Sequence, residues 1–179
     1  RNGPVEIAIP QRGPKRRLVK MVSDNAVQGL EQLKLKWLSD TDRMETAMSE
    51  LQEELSLPRL PHRIECYDIS HIQGTNTVAS MSVFQNGKPL SSDYRRFKIK
   101  SHDQNDDFAS MREVLTRRFK RLKNARDGGD EKASFAATPD LVLIDGGKGQ
   151  LTQAIEVMLF LGLQDISLAS IAKREEEIF

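Results

Sequence analysis

Two aspartates stand where aspartate is costly. Asp68 lies in the apolar run 64–70, between Tyr67 and Ile69, and Asp145 closes the run Leu141-Val142-Leu143-Ile144. Strand interiors disfavour Asp, and a carboxylate removed from water needs a partner or a metal ion. If the first and fourth strands of a sheet lie side by side, the two groups converge at one edge. Such a pair suits Mg²⁺, which takes oxygen ligands and keeps several waters. The plainer alternatives are a hydrogen-bonded turn residue at a strand end for Asp68, and a cap before Gly146 for Asp145. Asp106 or Asp107 offers a third carboxylate: one can cap the following helix while the other faces the metal.

Gly146-Gly147-Lys148-Gly149-Gln150 opens another helix. Its glycines permit close backbone approach, the helix N-terminus favours an anion, and Lys148 adds positive charge. The Gly-x-x-x-x-Gly-Lys-Ser/Thr spacing is missing, so this is not a Walker motif. It suits a phosphodiester as well as a nucleotide, and a nucleotide-binding enzyme would need an adenine or ribose site for which the sequence offers no candidate. The histidines are His62, His71 and His102. His71 is three residues beyond Asp68, about 10 Å along a strand, where it is expected to fix a loop. Ser70 has no evident base, and Cys66 sits in a strand where burial makes it inert, so no nucleophile constellation exists.

The elements that must position these groups follow from periodicity. Residues 1–22 read as an extended arm, with Val5, Ile7 and Ile9 alternating, then Pro10 and a basic stretch to Lys20. Apolar residues at Ala26, Leu30, Leu33 and Trp37, then at Met44, Ala47, Met48, Leu51 and Leu55, predict a helical hairpin over 23–57 ended by Pro58 and Pro61. From residue 62 the pattern becomes strand-like: 64–70, 77–84 and 94–99, with Gly74 and the turn pair Asn86-Gly87 between them. A helix over 105–122 follows, with Phe108, Met111, Leu115, Phe119 and Leu122 inward. Next come a surface loop over 124–138, the strand 141–144, a helix with Leu151, Ala154, Ile155, Met158 and Leu159 inward, and a strand over 166–172. The order β-β-β-α-β-α-β, three antiparallel strands and then parallel strands alternating with helices, is that of an α/β domain of ribonuclease H-like type, although a generic mixed α/β domain gives a similar string. The domains are therefore 1–61, arm and hairpin, and 62–179, the mixed sheet.

The chain has 179 residues, 38% apolar and 30% charged, with a net charge of +1 and a mean hydropathy of −0.51. No internal repeat or low-complexity tract is evident, and no apolar run approaches the ~18 residues of a membrane span. The basic, proline-broken start does not read as a signal peptide. A single cysteine excludes an internal disulfide framework and a cysteine-based zinc cluster, and points to a reducing, cytoplasmic setting. Charge distribution is more telling than the total. Between Tyr94 and Arg126 there are 11 Lys/Arg against four Asp/Glu, either a phosphate-facing surface or a solvated helix face with a lysine-protected edge strand.

Glu65-Cys66-Tyr67-Asp68-Ile69-Ser70-His71, Asp93-Tyr94-Arg95-Arg96-Phe97-Lys98-Ile99, Asp106-Asp107-Phe108-Ala109-Ser110-Met111 and Leu143-Ile144-Asp145-Gly146-Gly147-Lys148-Gly149-Gln150 follow one another along the chain. Together these ordered motifs resemble the UvrC family of bacterial nucleotide excision repair nucleases. Pro10-Gln11-Arg12-Gly13 and the closing Ala172–Phe179 stretch resemble it too. The resemblance implies a ribonuclease H-like endonuclease domain, cutting damaged double-stranded DNA 5′ to the lesion with UvrB as partner and UvrA upstream. It implies Asp68 and Asp145 as metal-binding catalytic aspartates and Asp107 as a further acidic residue. Lys148, Arg95, Arg96 and Lys98 become phosphate contacts. The family's GIY-YIG-type nuclease, UvrB-binding segment and helix-hairpin-helix module have no counterpart here. The family also supplies a catalytic histidine downstream of residue 179, and none of His62, His71 and His102 matches it, so a fragment is implied.

The expectation is thus a Mg²⁺- or Mn²⁺-dependent DNA endonuclease domain, with no membrane or small-molecule partner. The alternative is a non-catalytic DNA-binding or assembly module on the same fold.

Overall fold

The computed structural model describes residues 10–72, 76–100, 106–129, 132–172 and 177–179. The chain divides between Arg43 and Met44 into two compact units. Helix α1 runs unbroken from Gly13 to Glu54, which corrects both the helical hairpin and the C-terminal half of the extended arm; residues 1–9 lie outside the described residues. The physical reason is that nothing in the segment stops a helix. Pro14 sits in the first turn, where its missing N–H costs nothing, and no proline follows before Pro58. Asp40 and Thr41 are too weak as breakers to open a turn. The helix ends where Ser56 takes a left-handed conformation (φ 49). There Leu57 N–H donates to the Gln52 carbonyl at 2.9 Å and Ser56 N–H to that of Glu53 at 3.0 Å, the paired bonds of a Schellman cap. Leu30 and Leu33, read as a packing face, are more than half exposed, whereas Met48 is buried.

In the second unit the strands are β1 (Arg63–Ile72), β2 (Asn76–Gln85), β3 (Lys88–Pro89), β4 (Arg95–Lys98), β5 (Leu141–Asp145), β6 (Ser167–Ala172) and β7 (Glu177–Ile178). They form one mixed sheet of order β3-β2-β1-β5-β6-β7, with β4 also paired to β2. β3 and β4 lie in succession along the edge of β2 away from β1: β4 is the third strand expected over 94–99, and β3, set off from it by a 3-10 turn at Ser91–Asp93, is an addition to the expected three. β1 pairs antiparallel with β2 and parallel with β5, and β5 pairs parallel with β6. That is the expected three-antiparallel-then-parallel arrangement. Asn86 (φ 51) and Gly87 (φ 73) form the tight turn, both in the positive-φ region that a two-residue hairpin loop requires. β7, antiparallel to β6, had no forerunner in the sequence reading.

The helices are α2 (Asp107–Arg126), α3 (Ala133–Ala136) and α4 (Lys148–Leu161). The strands alternate sharply. Tyr67 of β1, Ala79, Met81 and Val83 of β2, Phe97 of β4 and Val142 and Ile144 of β5 join Met111, Leu115, Phe119, Ala154 and Met158 in a single core. The intervening strand residues occupy the other, partly solvated face.

Three details differ from the periodicity reading. Phe108 is half exposed although its helix partners are buried. On α4 the buried positions are Ala154, Val157, Met158 and Leu161, the i, i+3, i+4, i+7 stripe, which leaves Ile155 and Leu159 exposed. The 124–138 segment is no plain surface loop: α2 extends to Arg126, and α3 buries Phe135.

Candidate functional site

The β1–β5 register decides where the two aspartates meet. Ile64 is level with Leu141, Cys66 with Leu143 and Tyr67 with Ile144. One residue further on, Asp68 and Asp145 stand opposite one another on neighbouring strands, about 4.8 Å apart at the backbone. Tyr67 and Ile144 are fully buried on the helix side, so the two carboxylates share the other face. Both are half-buried, and the Ser70 hydroxyl donates to Asp68 Oδ2 at 2.8 Å. Two carboxylates with access to water form a donor set that fits a hard divalent cation. No three His, Cys, Asp or Glu among the described residues stand close enough to enclose a metal, so the pair would leave most of the coordination sphere to water and substrate.

Asp107 is placed elsewhere. Asp106 caps α2, its Oδ1 accepting from Ala109 N–H at 2.9 Å, which leaves Asp107 as the first helical residue. Both line a hollow of about 510 Å³ with Phe108, Gly147, Gly149 and Gln150. Two of the turn's glycines are closely packed, whereas Gly147 faces open space. A Cβ on Gly146 would overlap the Gln150 side chain, and one on Gly149 would come within 2.6 Å of the Phe108 ring. The Gly-Gly-Lys-Gly-Gln turn and the acidic start of α2 thus face each other, although Asp107 does not form a three-acid group with Asp68 and Asp145. Lys148 holds its ammonium 4.4 Å from the centre of the Phe179 ring.

The basic stretch disperses. Arg118 is fully buried. Arg112 pairs with Glu156 and Arg126 with Asp165, while Arg117 bonds Glu113 and the Lys98 carbonyl. Lys123 donates to the Leu161 carbonyl, and Arg121 covers the Phe135 ring. Arg95 points to the helix side, bonding the Ser134 hydroxyl at 2.6 Å and the Ser92 and Tyr94 carbonyls. Arg96 and Lys98 are different. Their strand positions are level with Ser80 and Val78, and Ser80 is level with Asp68. Asp145, Asp68, Ser80 and Arg96 therefore form one row across four strands, all on the face away from the helices, with Arg96 exposed at its end.

A family model described as the UvrC RNase H endonuclease domain matches residues 52–179. The chain belongs to this family. UvrABC system protein C of Gemmatimonas aurantiaca is 51% identical over 173 residues, covering 97% of this chain and 27% of that protein. The Symbiobacterium thermophilum protein of the same name is 45% identical, covering 98% and 31%, and that of Koribacter versatilis 49% identical, covering 98% and 27%. The chain thus spans less than a third of the length of these curated relatives. Among solved structures, endonuclease V of Ciona intestinalis in complex with DNA overlays with a TM-score of 0.42 at 16% identity, covering 74% of this chain and 58% of that one, a likeness too slight to argue from. No described helix is long and apolar enough to cross a membrane.

Beneath the carboxylate row, this UvrC-family sheet carries a buried ionic cluster that periodicity could not reveal. Glu65 and Arg118 are both wholly buried and paired, with Arg118 Nη2 2.7 Å from Oε1 and Nε 3.1 Å from Oε2. Arg118 also donates to the Phe135 and Ala137 carbonyls, each at 2.8 Å. The Tyr67 hydroxyl donates to Glu65 Oε2 at 2.7 Å, and Arg63 bridges Glu65 and Asp93. Burial opposes the Arg118 charge, yet the Glu65 carboxylate raises its pKa above the ordinary value; burial first, and Glu65 second, push Tyr67 well up. Cys66, on the carboxylate face, is raised to about 11, mainly by burial and with a contribution from Asp145. The only hint in the sequence was a Glu between Ile64 and Cys66 in a strand and an Arg one helical turn from Leu115 and Leu122.

Proposed function

We propose that this domain is a Mg²⁺- or Mn²⁺-dependent DNA endonuclease that cuts the damaged strand 5′ to a lesion, in the cytoplasm, within an assembly containing UvrB and fed by UvrA. The observation that supports it is the β1–β5 register, which one residue past Tyr67 and Ile144 sets Asp68 against Asp145 on the partly solvated face. A bound divalent ion supplies charge neutralisation at the scissile phosphate and lowers the pKa of water. The chain's own contribution is positional. Asp68 and Asp145 would hold that ion from adjacent strands. Ser70 orients the Asp68 carboxylate by its hydrogen bond. Arg96 and Lys98, exposed on the same face, hold the DNA backbone by its phosphates without reading bases. Asp107 tunes the site from the neighbouring hollow, and Lys148 adds positive charge at the same turn.

The test is incision of a lesion-bearing duplex by the complete protein with UvrA and UvrB. Asp68→Asn and Asp145→Asn should each reduce 5′ incision by about 10²–10³-fold, the order of loss seen when one group that stabilises transition-state charge is removed. Thermal unfolding should stay close to wild type. Wild-type rates in either variant would overturn the proposal in favour of a non-catalytic DNA-binding module.

A further inference from the structure

The carboxylate row has a neighbour. Cys66 is level with Ser82, and Tyr94 continues the β2–β4 register one residue beyond Arg95, which brings it level with Ser82 as well. The sheet face is therefore a small grid. Asp68, Ser80 and Arg96 form one line; Cys66, Ser82 and Tyr94 form the next. The β4 side of this grid is concave: Ser80, Ser82, Tyr94 and Arg96 border a hollow of about 500 Å³ that also touches Met81 and Arg95. Tyr94 is 39% exposed, and Arg96 is exposed beside it.

We infer that this hollow is a nucleotide subsite, taking one nucleotide of the DNA strand beside the scissile phosphodiester, its base on the Tyr94 ring and its phosphate on the Arg96 guanidinium. The inference rests on the endonuclease reading and names how that site holds its strand. Its lining has the chemistry such a unit needs: an aromatic face for stacking, a guanidinium for the phosphate and two hydroxyls for the sugar–phosphate oxygens. The neighbouring cation is not available for this work, because Arg95 is turned under the sheet onto Ser134 and the Phe135 ring. Two strand spacings, about 10 Å, separate Asp68 from Arg96 at the backbone, so one DNA strand can touch both. Stacking is indifferent to base identity, as a nuclease that must cut beside lesions in any sequence requires.

The test is binding of the intact chain to a single-stranded deoxyoligonucleotide in Ca²⁺, with a series of probes carrying one abasic position each. Tyr94→Ala should weaken binding about tenfold, the order of one lost stacking contact, while Tyr94→Phe binds as wild type. Arg96→Ala should weaken it about tenfold and lower the salt slope by about one, with Arg96→Lys recovering part of the loss. With the abasic position under Tyr94, wild type and Tyr94→Ala should bind equally, an equality that a misfolded variant would not show. Wild-type affinity in Tyr94→Ala, or a Tyr94→Ala defect of the same size on every abasic probe, would overturn the subsite. Cutting by Asp68→Asn would instead overturn the metal reading and leave this binding result untouched.

Discussion

Residue by residue, the charges of this domain do two separate jobs that the sequence cannot distinguish. Arg118 and Arg96 are alike in the one-dimensional count of basic groups, yet one is sealed in the core and the other ends a row on the solvated face. Removing one member of a buried, hydrogen-bonded pair leaves the other uncompensated. Arg118→Ala should therefore cost about 3–5 kcal/mol in urea unfolding, and the double replacement Glu65→Leu with Arg118→Met far less. Cys66 gives a pH-dependent test. Its thiol is held near 11 by burial, against 9.0 in the ordinary range. Between those values the unfolded chain has lost a proton that the folded chain keeps, so stability falls as pH rises through the window. At about pH 8 the thiolate population is about 100-fold below that of a free cysteine, so iodoacetamide should label native Cys66 correspondingly slowly and label it promptly in urea. The expectation that Cys66 is inert was legible because a cysteine within an apolar strand has few routes to water; the Glu65–Arg118 pair was not, because partners 53 positions apart leave no periodic trace.

At the scale of elements, turn chemistry and strand alternation were the legible parts. Asn86-Gly87 announces its hairpin because few other pairs tolerate two successive positive φ angles. Gly87→Ala tests that directly. The position has φ 73, and an added Cβ would sit 3.1 Å from Met44 Sδ, so the variant should lose about 1 kcal/mol or more and melt several degrees lower in calorimetry. Helix ends read less well. α1 runs through Asp40 and Thr41 because polar residues with good caps elsewhere do not terminate a helix unless the backbone is forced to turn. On α4 the expected stripe took Ile155 and Leu159 in place of Val157 and Leu161 for a related reason: a helix rich in Ile, Leu, Val, Met and Phe has apolar residues on nearly every side, so periodicity alone cannot choose the buried ones.

Over the whole molecule, the ribonuclease H-like order of strands was readable from element succession, whereas the electrostatic surface required coordinates. Of the basic residues between 94 and 126, Arg96 and Lys98 are exposed on the face away from the helices, while Arg112, Arg117 and Arg126 bind acids within the domain. Each phosphate neutralised adds about −0.9 to the slope of log affinity against log salt. Replacing Arg96 and Lys98 by Gln should thus flatten that slope by about 2 in a fluorescence titration of DNA binding, and replacing the other three should leave it nearly unchanged. A flattening of similar size in both sets would mean that the internal ion pairs open on contact with DNA.

The in-register meeting of β1 and β5 sets an unequal tolerance for length variation. Asp68 and Asp145 are joined by hydrogen-bonded backbone rather than by the 76 residues between them, so family members can gain or lose residues in the connecting turns without disturbing the pair. A single residue gained between Cys66 and Asp68 would be another matter. It would carry the aspartate through the plane of the sheet, from water into the grease below. Genetic drift in this lineage should accordingly write its insertions and deletions between strands and keep the spacing within these two strands untouched.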